Sequence, residues 1–186
     1  MARHLIIMRH AKSAWDTDAI TDFERPLAKR GKIDAPRMGQ WLLDQSMVPD
    51  YIVSSPAQRA KETTLKICKA MNIKKSNINW DPRVYGAGTE DLLEILSEIP
   101  SKNNSVMLVG HNPGLEFLAS YLTQQVEELE DESQDMEETL ESNLFLIKTA
   151  TVVSLKMPDD WKSLKSGSAS IVTIQHPRDL APDPDE

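Results

Sequence analysis

Short apolar runs that stop abruptly on polar residues constrain this chain more than any other feature. Leu5-Ile-Ile-Met8 ends at Arg9-His10, Tyr51-Ile-Val53 ends at Ser54-Ser55, and Ser105-Val-Met-Leu-Val-Gly110 ends at His111. Each is too short to cross a membrane and reads as a strand buried on both faces of a sheet. Between them lie stretches with helical spacing. From Leu27 to Ser46 the apolar positions Ile33, Met38, Trp41 and Leu42 recur at that period, interrupted by Gly31, Pro36 and Gly39. Pro36 is expected in a first turn or at a kink. A second helix is expected to run to about Met71, with Ser55 as N-cap and Pro56 at its first position. A third runs from Thr89 to Ile99, and a fourth starts at Asn112-Pro113 and continues through Leu122. Ile78–Trp80, Thr151–Met157 and Ser170–His176 read as further strands. Strands alternating with helices predict a three-layer α/β/α domain around a mostly parallel sheet.

Composition narrows the function classes. The net charge of −8 is local: residues 127–141 hold nine of the 29 acids and no base, which leaves 20 acids against 21 bases elsewhere. No basic stripe suggests nucleic-acid binding. Cys68 is the single cysteine, so there is no disulfide framework or Cys-rich zinc site, and it reads as a packing residue. With no leader-like start and no long apolar stretch, the expectation is a soluble, cytoplasmic protein that binds no membrane. The reading is one domain over 1–178, with an acidic insertion at 127–141 and a tail over 179–186; Pro177 onward reads as frayed.

In open α/β sheets ligands bind beyond the carboxyl ends of the parallel strands. Three such ends carry chemistry here: Arg9-His10, then Ser54-Ser55-Pro56 with Arg59 on the first turn of the next helix, then Gly110-His111-Asn112. Two arginines, two histidines and two helix starts converging at a sheet edge describe a pocket for a phosphoryl group. Ala11–Pro26 forms a long loop that should border it, bringing Lys12, Ser13, Asp22 and Arg25; Ser13 and Arg25 are candidate substrate contacts. Trp15 is expected to pack beneath this loop. His4 and His176 read as strand-end residues without a chemical role.

These motifs carry a family resemblance. Arg9-His10-Ala11 resembles the Arg-His-Gly signature of the histidine phosphatase superfamily, which has the phosphoglycerate mutase-like fold. Ser54-Ser-Pro-Ala-Gln-Arg-Ala-Lys-Glu-Thr63 resembles its second motif, and Gly110-His-Asn-Pro-Gly114 its third. The Arg-His-Ala-Lys-Ser run at 9–13 and the Asp22-Phe-Glu-Arg-Pro-Leu-Ala-Lys-Arg-Gly31 stretch resemble the SixA-type phosphohistidine phosphatase branch. The resemblance implies that His10 attacks phosphorus and is transiently phosphorylated, while Arg9, Arg59 and His111 bind the phosphoryl oxygens. It implies no cofactor and no metal.

Two features depart from the family pattern. Ala11 stands where glycine is usual, so the backbone there cannot freely take positive φ. No carboxylate matches the general acid that many members use, and Asp81, Tyr85, Glu90 and Asp91 remain unplaced. Imidazole leaves phosphorus without such an acid, so the missing match favours phosphohistidine in a protein partner. A small phosphorylated substrate, cleaved by a phosphomonoesterase of the same fold, is the alternative. A non-catalytic phosphate-binding scaffold is a third reading, disfavoured because His10 is present. The acidic segment is read as a solvated appendage, or else as an arm that steers a basic partner surface.

Overall fold

A computed structural model describes residues 3–124 and 146–180; the acidic stretch 127–141, with its two readings, lies outside the described residues. The strands are β1 (Arg3–Arg9), β2 (Tyr51–Ser54), β3 (Ile78–Trp80), β4 (Ser105–Gly110), β5 (Val152–Met157) and β6 (Ser170–Gln175). They form one sheet in the order β3-β2-β4-β1-β5-β6. β3, β2, β4 and β1 pair in parallel, whereas β5 runs antiparallel to both β1 and β6. The helices are α1 (Lys29–Asp44), α2 (Gln58–Ala70), α3 (Thr89–Ser97) and α4 (Gly114–Thr123).

Alternation along the central strands divides the core into two layers. Leu5, Ile7, Val106 and Leu108 pack with Leu92, Leu96, Leu115 and Leu118 of α3 and α4. Ile6, Met8, Met107 and Val109 pack with Met38, Leu42, Ala60 and Ile67 of α1 and α2. Leu5 to Met8 are at most 1% exposed, the two-sided burial expected of an unbroken apolar run between helical layers. Removing one such leucine leaves a cavity and costs about 2–5 kcal/mol. The three-layer, mostly parallel architecture is therefore the one the sequence pattern predicts.

Details of the helices differ from expectation. Pro36 lies inside α1 rather than in its first turn. The interrupting glycines of α1 mark close approaches: a Cβ at Gly39 would lie 2.9 Å from Ile67 O in α2, and one at Gly31 only 2.2 Å from Lys12 O. Helix α2 starts at Gln58 with Ala57 as N-cap, so neither Ser55 nor Pro56 caps it. Gly88, rather than Thr89, precedes α3, and its N–H donates to Asp91 Oδ2 at 2.9 Å. The chain after His176 is docked at its start: Pro177–Asp179 forms a 3-10 turn, and Leu180 packs on the α1/α2 core while its carbonyl accepts from Arg37 Nη2. Residues 181–186 lie outside the described residues.

Candidate active site

Register brings the three motifs together. In the parallel pairings Arg9 faces Gly110 and Ser54 faces Val109, so the ends of β1, β4 and β2 lie side by side. The residues just beyond continue the ladder, with His10 N–H donating to Gly110 O (3.1 Å) and Ser55 N–H to Val109 O (3.0 Å). A cleft of about 270 Å³ opens there, lined by Arg9, His10, Lys12, Ser13, Trp15, Arg25, Arg59, His111, Asn112 and Thr149. All six candidate site residues are in that lining.

His10 is 7% exposed, with its Nδ1 2.8 Å from Ala11 O. A carbonyl only accepts, so Nδ1 carries the proton and the Nε2 lone pair faces outward, where it takes a hydrogen bond from Arg59 Nε at 3.2 Å. Burial pushes its pKa down to about 3, and His111, Arg59 and Arg9 add to the effect while the Ala11 carbonyl opposes it. The ring is therefore neutral near pH 7. Ala11 is held by its own N–H, which donates to Thr63 Oγ1 in α2 at 3.0 Å.

The His111 ring centre lies 5.1 Å from that of His10. Its Nε2 is 2.8 Å from Ser55 Oγ, which also accepts from Ala57 N–H, so Ser55 serves the histidine and the turn rather than a helix cap. His111 Nδ1 is buried without a partner. Burial, aided by Arg59 and Arg9 and opposed by Asp22, lowers the His111 pKa to about 4.

The two arginines are held differently. Arg9 Nη1 donates to Ile147 O (3.1 Å), and its buried Nε has no partner. Burial lowers the Arg9 pKa, and Arg59 pushes the same way, while Glu116 counters them. Asn112 ties this wall together, donating to Glu116 Oε1 and to Ile147 O, both at 2.7 Å. Arg59 instead meets the long loop: Nη1 donates to Asp22 O (2.6 Å) and Nη2 to Asp22 Oδ2 (2.8 Å). Arg25 reaches Asp22 Oδ1 (2.9 Å), Ser13 Oγ (2.9 Å) and Ala14 O (3.0 Å). Its guanidinium also stacks 3.5 Å over Trp15, which is 78% exposed. The expectation that Trp15 packs beneath the loop is thus wrong; it stands at the cleft mouth as a platform for Arg25.

The four unplaced groups resolve as follows. Asp81 caps a 3-10 turn through Arg83 N–H and pairs with the Arg83 guanidinium at 2.8 Å. Asp91 holds the start of α3, and Glu90 is exposed beside it. Tyr85 approaches the site, its ring in edge contact with His111 and its hydroxyl donating to Asp22 Oδ2 at 3.0 Å. His4 is exposed on β1, and His176 Nδ1 pairs with Thr151 Oγ1 at 2.7 Å. Cys68 is buried, and burial raises its thiol to about 11. Among the described residues, no group of three or more His, Cys, Asp or Glu could hold a metal ion. No helix among them is long and apolar enough to cross a membrane.

Sequence reasoning missed three supports of this site. Ser55 was assigned to a helix cap, and the segment from Ile147 to Ala150 carried no motif, although Ala150 N–H donates to the carbonyls of Arg9 and His10. Glu116 belongs to no motif in the sequence; it is 9% exposed and also accepts from Ile147 N–H.

Comparison with known proteins agrees with this geometry. The family model "Histidine phosphatase superfamily (branch 1)" matches residues 5–84, which include the first two motifs. An uncharacterized chloroplastic protein of Arabidopsis thaliana is 36% identical over 132 residues, 66% of this chain and 60% of that protein. The chain thus spans less than two thirds of that relative's length. The phosphohistidine phosphatase SixA of Escherichia coli is 27% identical over 120 residues, covering 63% of this chain and 73% of that one. A Nakamurella multipartitia structure described as a phosphohistidine phosphatase SixA superposes with a TM-score of 0.76 at 27% identity, over 95% of this chain and 97% of that one. The fold and the family-model match over residues 5–84 both place the similarity of this chain with the histidine phosphatase superfamily.

Proposed function

We propose that this chain is a phosphatase that uses His10 as its nucleophile and removes phosphate from phosphohistidine in a protein partner. The observation that carries the reading is the fixed tautomer of His10. Its Nδ1–H is spent on Ala11 O, so a neutral ring presents the Nε2 lone pair to a cleft otherwise lined by cationic and neutral groups. An incoming phosphoryl group displaces the Arg59 hydrogen bond from Nε2, and Arg59, Arg9 and His111 take its oxygens. Positioning and charge stabilisation of this kind account for most catalysis of phosphoryl transfer. Bound phosphate raises the His111 pKa, making the ring a third cation where the charge develops. Water then releases phosphate from His10.

Two facts support the substrate class. Among the described residues lining the cleft there is no carboxylic acid to protonate a departing alkoxide, and a departing imidazole needs none. The Escherichia coli relative is itself a phosphohistidine phosphatase. The test compares turnover of a phosphohistidine-bearing protein with a panel of small phosphate esters. A kcat/KM higher by about tenfold or more on the phosphohistidine is expected. Preference for one ester would make the chain a small-molecule phosphomonoesterase.

A further inference from the structure

Resting on that reading, the mouth of the cleft bears on the leaving group. In an in-line displacement the departing atom lies opposite the attacking one. His10 lines the cleft and is itself buried, so a departing atom opposite its Nε2 lies on the open side of the cleft. Asp22 borders the cleft behind two of its lining residues, Arg25 and Arg59, in the first position of a 3-10 turn of the long loop. Its side chain is 52% exposed, leaving room for one more donor. Its carboxylate already joins two of the three arginines that line the cleft, taking Arg25 on Oδ1, and Arg59 together with the Tyr85 hydroxyl on Oδ2.

The charged and titratable side chains facing Asp22, among the described residues, are Arg25 in its own loop, Arg59 of α2, Tyr85 and, further off, His111. Partial burial works against ionisation, but the hydrogen bonds from Arg25, Tyr85 and Arg59 prevail and hold the pKa at about 2. Such a carboxylate carries no proton to give to an alkoxide. It suits a leaving group that arrives as a cation with an N–H to donate. Asp81 and Asp91 cannot take this part, since Arg83 and the Gly88 N–H hold them away from the cleft.

We propose that Asp22 is a specificity-determining residue that accepts the ring N–H of the substrate's phosphoimidazolium and keeps it protonated until the P–N bond breaks. The His10 Nε2 lone pair forms the new N–P bond, and the old P–N pair returns to the departing nitrogen. Because the substrate's other nitrogen keeps its proton, the group leaves as neutral imidazole with no proton transfer. Water then adds to phosphorus, the P–Nε2 pair returns to His10, and both water hydrogens leave with the phosphate. The two imidazoles are handled alike, one N–H on the Ala11 carbonyl and the other on Asp22.

The test uses the full chain with Asp22→Asn and Asp22→Ser, on free phosphohistidine and on p-nitrophenyl phosphate. Both substitutions also loosen Arg59, so some loss on the ester is expected. The kcat/KM on phosphohistidine should fall at least tenfold further. The alkaline limb of kcat on phosphohistidine, where the bound ring loses its proton, should move to lower pH, because the carboxylate that raised that pKa is gone. Asp22→Glu should restore part of the difference. Equal losses on both substrates with an unmoved limb would overturn the proposal and leave Asp22 as a positioning residue for Arg59. A parent enzyme that hydrolyses the ester but neither phosphohistidine nor its protein form overturns the substrate reading as well, so the two failures are distinguishable.

Discussion

The ends of β1 and β4 deliver one histidine each to the same cleft from adjacent, in-register strands, yet the two rings are held by opposite nitrogens. His10 is fixed through Nδ1 by a carbonyl, which dictates its tautomer and leaves Nε2 directed outward. His111 is fixed through Nε2 by a hydroxyl, which can donate or accept, and its Nδ1 is buried without a partner. The carbonyl fixes which nitrogen of His10 carries the proton, and burial keeps that ring neutral, whereas a hydroxyl tolerates either protonation state. The difference teaches that which nitrogen of each ring is left for the cleft is set by what grips the other one.

Substitutions can break this comparison, and the largest effect is expected at His10, the proposed nucleophile. His10→Ala should lower turnover by about four orders of magnitude or more while vanadate still binds. Activity near the parental level, measured by phosphate release, would sink the mechanism. His111→Ala should be less severe, raising the barrier by about 3–4 kcal/mol, as loss of one charge-stabilising donor does. The same variant should abolish proton uptake on phosphate binding near about pH 6–7, which calorimetry in two buffers reads, because the anion raises the His111 pKa from about 4. Uptake that persists without His111 would place the titrating group elsewhere.

Ser55→Ala leaves His111 without its hydroxyl and should cost about tenfold in kcat, with little change in vanadate binding. Equal loss in both would mean that Ser55 supports the whole strand end. The smallest effect concerns stability. Both histidines have folded pKa values, about 3 and about 4, below the unfolded value of about 6.5. Between those limits the unfolded chain binds more protons, so the stabilisation is full above about pH 6.5 and is lost as pH falls toward 4 and 3. A melting series from pH 7 to 4.5 should therefore show a falling Tm, and His10→Ala should flatten that slope by a few degrees. An unchanged slope would remove His10 as a buried neutral group.

Much of this site is legible in sequence because each motif carries a local rule. An apolar run ending at Arg9-His10 or Gly110-His111 marks a strand exit, and short-range sterics keep Arg59 on the first turn of its helix. The fold class follows from the same local patterns, since Leu5 to Met8 and Val106 to Val109 leave no polar face to expose. Where local rules competed, sequence alone chose badly. Ser55 followed by Pro56 satisfies a helix-start rule, but the hydroxyl is taken by His111 and Ala57, and α2 starts later. The tendency of large apolar rings to bury places Trp15 under the loop, yet the ring stands exposed with the Arg25 guanidinium stacked on it.

What the sequence determined by itself is the set of reactive groups and the strand ends that present them, since chain connectivity and hydrophobic periodicity act over a few residues. Tertiary structure alone decided the state of each group. The strand order sets β4 between β1 and β2, which puts His111 against Ser55 and His10 within reach of Arg59. Packing also decided that Glu116 underlies Arg9 and that Asp22 meets Arg59 across 37 residues of chain. Electrostatic and hydrogen-bond partners are chosen by distance through space. No local rule encodes them.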